Sequence, residues 1–374
     1  MDAFVGSIGY FNAIIVFCLL VFVHELGHYL VARWAGVRIE TFSIGFGREI
    51  WGYTDKLGTR WKFSLVPLGG YVKMFGEGDT LIETSDSDAE PTERELTEAE
   101  RQVSFAHKSL GRRTAVVAAG PIANFLFAIA ILAGLYMVHG KPVPADFQAQ
   151  GIGTVRADSA ADAAGFQPGD RILAVDGQPI VTFNDLRAAV GGSEGERLSF
   201  TIARENERLT LNAAPRPQDP DAAAGETGYL LGVTGPVTRF EKQGPVDAVW
   251  TGVEETWRLT ALTFSSIGEI IVGQRSVDDM GGPVKIVQLS NDVAQLGILS
   301  LVSFMAVLSI NLGLLNLFPI PMLDGGHLAF YAIEAVRGKP VGERAQEYAF
   351  RIGLALLLGL MILITINDVL SLPF

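Results

Sequence analysis

The chain has 374 residues, 49% of them hydrophobic, a formal net charge of −12 and a single cysteine, with a mean hydropathy of +0.31. That apolar content calls for a bilayer before a water-soluble core is considered. The acidic balance argues against a nucleic-acid partner, since phosphate contacts need clustered Lys and Arg, and the lone Cys18 excludes a disulfide framework and a thiolate zinc site.

The first apolar run, within residues 1–38, is long enough to cross a membrane. It has neither a basic leading segment nor a small-residue cleavage site, so it is expected to stay in the mature protein. Inside it, VFVHELGHYLVARW carries His24, Glu25 and His28. On a helix the two histidines lie about 6 Å apart along the axis, roughly one turn, so both imidazoles can face one metal. Glu25 flanks them and can take a proton from a water without being a ligand. At bilayer depth each ionisable group costs about 2.5–3.5 kcal/mol on insertion scales, so three together call for a compensating partner. Histidines satisfied by backbone groups are the bland alternative.

Residues 39–76 alternate in polarity and are punctuated by Gly, which predicts β-hairpins. Their aromatics (Phe42, Phe46, Trp51, Tyr53, Trp61, Phe63 and Tyr71) suit a sheet dipping into the membrane interface, although a small soluble sheet would alternate in the same way. Residues 77–112 open with EGDTLIETSDSDAEPTERELTEAE, an acidic, aromatic-poor stretch expected to be a flexible cytosolic loop. A second span follows over 113–139. Residues 150–216 read as a compact α/β module. It comprises a strand at Ile152–Val155, a helix at Ala160–Ala164, a strand at Arg171–Val175, a turn at Asp176-Gly177, a helix at Asn184–Val190 and two further strands. In the linker 217–296, Trp250, Val253, Trp257, Ala261 and Phe264 recur at helical spacing and predict an amphipathic helix, docked on the membrane surface or on the α/β module.

A third span over 297–326 is broken by Pro319 and Pro321 just before Asp324, and a fourth covers 347–371. Arg33 and Arg38, then Lys108, Arg112 and Arg113, then Arg337, Lys339 and Arg344 mark the cytosolic flanks. Both termini and the long connection between spans two and three then fall on the outer side. Spans one and three run the same way, which sets His24, His28 and Asp324 at one depth, in the cytosolic half of the bilayer. Two histidines are one protein ligand short of a catalytic zinc site. Asp324 is the best third donor because a carboxylate offsets the metal's charge; His327 is a rival that spacing leaves open.

Two resemblances join these readings. The stretch AADAAGFQPGDRILAVDGQPI resembles the core of a PDZ domain, which takes an extended peptide as an added strand; an architectural spacer is the other reading. His24-Glu25-Leu26-Gly27-His28, Gly120-Pro121-Ile122-Ala123-Asn124 and Asn316-Leu-Phe-Pro319-Ile-Pro321-Met-Leu-Asp324-Gly325 together resemble the site-2 protease family of intramembrane zinc metalloproteases, in its bacterial branch. The resemblance covers nearly the whole chain. It implies a polytopic α-helical membrane protein with four transmembrane helices, a membrane-associated β-hairpin region and one extracytoplasmic PDZ-like domain.

For the site it implies one Zn2+ per chain held by His24, His28 and Asp324, with Glu25 as general base and Asn316 positioning substrate. The Gly45-Phe46-Gly47 hairpin would present an edge strand to the substrate. From the residues alone, Asn316 can equally serve an interhelical hydrogen bond, and Gly45 and Gly47 a turn. The implied substrates are single-pass proteins of the bacterial inner membrane, such as an anti-sigma factor already cut on the outer side, or signal-peptide remnants. Better-known bacterial members carry two PDZ modules where this chain has length for one. A metal transporter and a non-catalytic PDZ scaffold are the competing functions.

Overall fold

The computed structural model describes residues 2–76, 96–143, 147–205, 207–217, 229–235, 239–274 and 282–370. The acidic stretch expected to be flexible lies for the most part outside the described residues. The chain divides into two compact units, Met1–Val138 with Gly244–Phe374, and His139–Gln243. In chain order the first unit opens with α1 (Asp2–Trp34), β1 (Ile39–Thr54), β2 (Arg60–Met74), α2 (Glu98–Val103) and α3 (Leu110–Val138). The second holds β3 (Lys141–Val143), α4 (Phe147–Gln150), α5 (Ala160–Ala163), β4 (Arg171–Val175), β5 (Gln178–Pro179), α6 (Phe183–Gly191), β6 (Leu198–Arg204), β7 (Glu207–Ala213), β8 (Arg216–Pro217), β9 (Tyr229–Leu230) and β10 (Arg239–Glu241). The first unit then resumes with α7 (Pro245–Ile271), α8 (Pro283–Gln295), α9 (Ile298–Asn316), α10 (Asp324–Arg337) and α11 (Glu343–Leu370).

Four helical stretches among the described residues are long and apolar enough to cross a membrane: Ile14–Trp34, Leu110–Val138, Ile298–Asn316 and Arg344–Asp368. Lipid tails supply no hydrophobic push between such helices, so close packing must come from small residues and directed hydrogen bonds. A Cβ on Gly27 of α1 would lie 2.4 Å from the Ala119 carbonyl oxygen and 2.7 Å from the Ala123 Cβ, so α1 and α3 meet almost backbone to backbone. On its other side α3 meets α9, where a Cβ on Gly313 would lie 3.0 Å from the Pro121 oxygen and the Ser309 hydroxyl donates to the Asn124 carbonyl at 2.8 Å. Ala128, Leu132, Ala306 and Ile310 fill the rest of that seam.

α7 lies against α3 through Gly252, whose Cβ would sit 3.0 Å from the Ile129 oxygen. Its Trp250, Trp257 and Phe264 side chains stay exposed. α8 packs on α1, and its first amides are capped from α11, where the buried Asp368 carboxylate accepts from Gly282 and Lys285 at 3.1 Å each.

β1 and β2 are long, bent strands that form more than a simple hairpin. Thr41, Phe42, Ser43 and Ile44 each have partners on both sides: Lys73 and Arg60, Val72 and Trp61, Tyr71 and Lys62, Gly70 and Phe63. Two strands therefore build a ladder four segments wide. Phe42, wholly buried, stacks on Trp61 at 4.3 Å between ring centres and meets Tyr29 of α1 edge-on.

In the second unit, β5, β4, β6 and β7 form an antiparallel sheet in that order. Ile152, Phe166, Ile172, Leu186, Phe200 and Ile202 make its core. Asp176 and Gly177 both have positive φ, 48° and 80°, as the two-residue turn between β4 and β5 requires. Asp170, 1% exposed in its side chain, receives both arms of Arg204 at 2.7 Å. One expected element is absent: Ile152–Val155 is not a strand. The Ile152 amide bonds to Asp170 and the Gly153 amide to Thr234, so its donors serve different segments and no ladder forms beyond a bridge between Val155 and Val233. The unit also takes in residues 139–149 and 229–243, beyond the expected 150–216.

Gly27→Val should lower stability in detergent micelles by about 1–3 kcal/mol, because its side chain meets backbone that cannot rotate away. A thermal unfolding midpoint equal to wild type would show instead that α1 and α3 separate freely.

Candidate metal centre

The α-helical pitch of α1 brings His24 and His28 to the same face, with Nε2 atoms 3.2 Å apart and both residues 8% exposed. Glu25 is equally enclosed at 9%. Room for the imidazoles comes from α3: a Cβ on Gly120 would stand 2.2 Å from His28 Nε2 and 2.8 Å from His24 Cε1. The outer ring nitrogens also face α3, His28 Nδ1 donating to the Val116 carbonyl at 2.9 Å and His24 Nδ1 lying 3.1 Å from Asn124 Nδ2. Pro121, inside α3, has no N–H for the Val117 carbonyl four residues back.

Asp324 arrives from the far end of the sequence. α9 stops at Asn316, and a loop carrying Pro319 and Pro321 folds back over the start of α10. Met322 is held there at φ 87°, uncommon for a residue with a side chain. Gly325 and Gly326 permit the fold-back, since Cβ atoms there would meet the Phe318 oxygen at 2.2 Å and the Ile320 oxygen at 2.5 Å. Asp324 sits in the first turn of α10, where the helix dipole favours a carboxylate. Further along α10, Glu334 accepts from Arg113 of α3 at 2.6 Å, with both side chains mostly enclosed, and the Arg113 guanidinium also lies over the Tyr331 ring.

One Asp324 oxygen is 3.1 Å from His24 Nε2 and the other 3.5 Å from His28 Nε2. Ligand atoms of the three residues all lie within 4.8 Å of one another. Tetrahedral zinc with bonds of about 2.0–2.1 Å separates its ligands by roughly 3.3 Å; the two Nε2 atoms stand 3.2 Å apart, and each has a different carboxylate oxygen near that distance. Asp324 Oδ2 is buried, with His24 Nε2 3.1 Å away. The donor set fits a divalent ion with one position left open.

His327 lies outside that group and packs its ring 5.3 Å from Phe350. The Asn316 amide donates to the Leu312 carbonyl of its own helix at 2.9 Å, rather than to a neighbouring helix. Gly45 and Gly47 both have positive φ and form a bend in β1; a Cβ on Gly45 would strike the Val66 oxygen at 2.7 Å. Phe46 folds over Gly69 and stacks on Tyr71. The sheet reaches Glu25 through Gly70, whose Cβ would lie 3.0 Å from Glu25 Cγ. Sequence reasoning missed Gly70, the Val116 carbonyl and the Arg113–Glu334 tie. The Gly69-Gly70 pair signals a turn but not its neighbour, and Arg113 was legible only as a cytosolic flank.

A membrane-embedded hydrolytic metal centre is the class this fold and site define. Residues 12–360 match the model of peptidase family M50. The chain is 46% identical to a protein of Agrobacterium fabrum named as a zinc metalloprotease, over 96% of this chain and 95% of that one. A protein of Rickettsia conorii with the same kind of name is 36% identical over 95% and 97%. The regulator of sigma-E protease RseP of Salmonella typhimurium is 33% identical over 95% of this chain and 97% of its own length. The chain belongs to peptidase family M50, the site-2 proteases, and is a membrane zinc metalloprotease. This sets aside the transporter and scaffold readings.

Arg113→Ala and Glu334→Ala should each weaken retention of zinc against a chelator about 3- to 10-fold, with a coupling in the double mutant of about 0.7–1.4 kcal/mol. Additive losses would mean that the α3–α10 tie does not position Asp324.

Proposed function

We propose that the protein cuts single-pass membrane proteins within or near their transmembrane segment, with His24, His28 and Asp324 as zinc ligands and Glu25 as general base. The convergence of these three donors beside an enclosed Glu25 on apolar helices carries the reading. Zinc bound there would supply a Lewis acid that favours ionisation of water near neutral pH and polarises the scissile carbonyl. Glu25 accepts the proton of the attacking water. The same proton then passes from Glu25 to the amide nitrogen as the C–N bond breaks, so the peptide leaves as a neutral amine. Glu25 is only 9% exposed and has Gly70 of β2 against it, which keeps bulk solvent away from the transfer.

A substrate helix must unwind first, because its backbone groups are satisfied internally. An edge of the β1–β2 sheet, with Gly45, Phe46 and Gly47 at its bend, would replace the lost bonds by strand addition. The approach of Gly70 to Glu25 supports this role. Exposed Ile50, Trp51, Tyr53 and Leu65 on the same sheet suit the membrane interface. Asn316 would position the substrate from the end of α9.

The charge flanks favour a bacterial inner-membrane protein with both termini and the His139–Gln243 unit on the periplasmic side, and with the metal toward the cytosolic half. That unit's four-stranded antiparallel sheet and three short helices are compatible with a PDZ-like fold that contacts substrate. The Salmonella relative is named for the regulation of sigma-E, and an anti-sigma factor is one substrate proposed for this chain. Its alignment runs to 449 positions for 95% of this 374-residue chain, so the relative is longer inside the aligned region by roughly 90 residues, about one small domain. This agrees with a single PDZ-like module here.

Glu25→Gln should cut turnover of a purified single-pass substrate about 10²- to 10⁴-fold while leaving bound zinc near one per chain; undiminished cleavage would remove Glu25 from the chemistry. Stripping the metal with a chelator should abolish cleavage, and added zinc should restore it. Deleting residues 150–215 should admit substrates with intact outer domains while cleavage still depends on Glu25. Loss of all cleavage would count against the unit as a filter.

A further inference from the structure

Both site histidines turn their outer nitrogens toward α3, but the two are not served alike. His28 Nδ1 meets a carbonyl oxygen, that of Val116 at 2.9 Å. An oxygen there can only accept, so the ring hydrogen sits on Nδ1 and the Nε2 lone pair faces the centre. His24 Nδ1 instead meets the amide nitrogen of Asn124 at 3.1 Å. An amide nitrogen can only donate. In that arrangement a neutral His24 carries its hydrogen on Nε2, the atom 3.1 Å from Asp324 and 3.2 Å from His28 Nε2, and it cannot ligate a cation.

We propose that Asn124 is a positioning residue for the metal: in the loaded protein its carboxamide is turned so that Oδ1 accepts from His24 Nδ1–H, which bares Nε2 toward the ion. The inference rests on the reading of His24 as a ligand. Asn124 is wholly buried, and its Oδ1 has no hydrogen-bond partner among the described residues, so the turn gives up no bond made by that oxygen. The two ends of a carboxamide have nearly the same shape, so half a rotation of the group fits the same space. The backbone of Asn124 is independently fixed by the Ser309 hydroxyl at 2.8 Å, which leaves the side chain as the moving part. α3 would then hold both rings by the same device, an oxygen acceptor behind each outer nitrogen. Such outer acceptors set the tautomer and raise the basicity of a metal-bound histidine.

The test measures affinity for Zn2+ and Co2+ by chelator competition on the purified full-length protein in detergent, with resistance to trypsin as the check of folding. Asn124→Leu, close in size but without an acceptor, should weaken binding about 10- to 100-fold. Asn124→Asp keeps an acceptor in place and should bind within about threefold of wild type, or more tightly. Should Asn124→Leu fail to fold, Asn124→Ala against Asn124→Asp decides the same question. Wild-type affinity in a folded Leu or Ala variant, or an Asp variant as weak as they are, overturns the proposal. His24→Ala is the control: if it loses metal while Asn124→Leu keeps it, this inference alone fails, and if it keeps metal, the ligand reading fails with it.

Discussion

Ionisable groups cannot be held at bilayer depth unless each has a partner within reach, and here the partners sit on a different helix from the groups they serve. α1 carries His24, Glu25 and His28, while α3 carries the oxygen and amide that face the outer ring nitrogens. They meet only because Gly27 and Gly120 remove the side chains that would keep the helices apart. A methyl group at Gly120 would occupy the space of His28 Nε2 itself. Helix packing and site geometry are therefore one problem: what lets α1 and α3 touch also orients the donors.

The third donor comes at a different kind of cost. Asp324 depends on backbone that is not helical between Asn316 and the start of α10, with Met322 in the left-handed region and two glycines turned tightly against preceding carbonyls. Broken backbone at membrane depth is tolerated where it is packed in protein or lines a cavity. Here it is backed by Phe264 of α7, whose ring lies 5.9 Å from that of Phe318. The Arg113–Glu334 pair then ties the middle of α10 to α3, the helix that already sets the histidines. All three donors are referred to α3, though none belongs to it.

Some of this was legible in the sequence. Two histidines four residues apart in an apolar run state their face and their expense together, and the prolines before Asp324 announce a helix end wherever they occur. Asp176-Gly177 reads as a turn because positive φ favours glycine, and tolerates aspartate, whatever surrounds them. Ile152–Val155 misled because apolar alternation does not say whether its amides will find one neighbour or several. Asn316 was legible as a polar residue at the end of a span, but the bond from its amide to the Leu312 carbonyl of its own helix was not. Neither Gly70 nor Val116 announced its neighbour, since a glycine in a strand and a carbonyl in a helix look ordinary until another element lies against them.

By itself the sequence determined the apolar spans, the four-residue step between the histidines, the break that frees Asp324 and the family to which the chain belongs. These follow from local rules, in which a residue's type and spacing constrain its own helix, turn or span. Tertiary structure alone decided which carbonyl stands behind His28, which side chain stands behind His24, and that the sheet approaches Glu25 through Gly70. Those relations span tens to hundreds of residues of chain and depend on steric fit between surfaces, a property of pairs of elements that neither element's sequence contains.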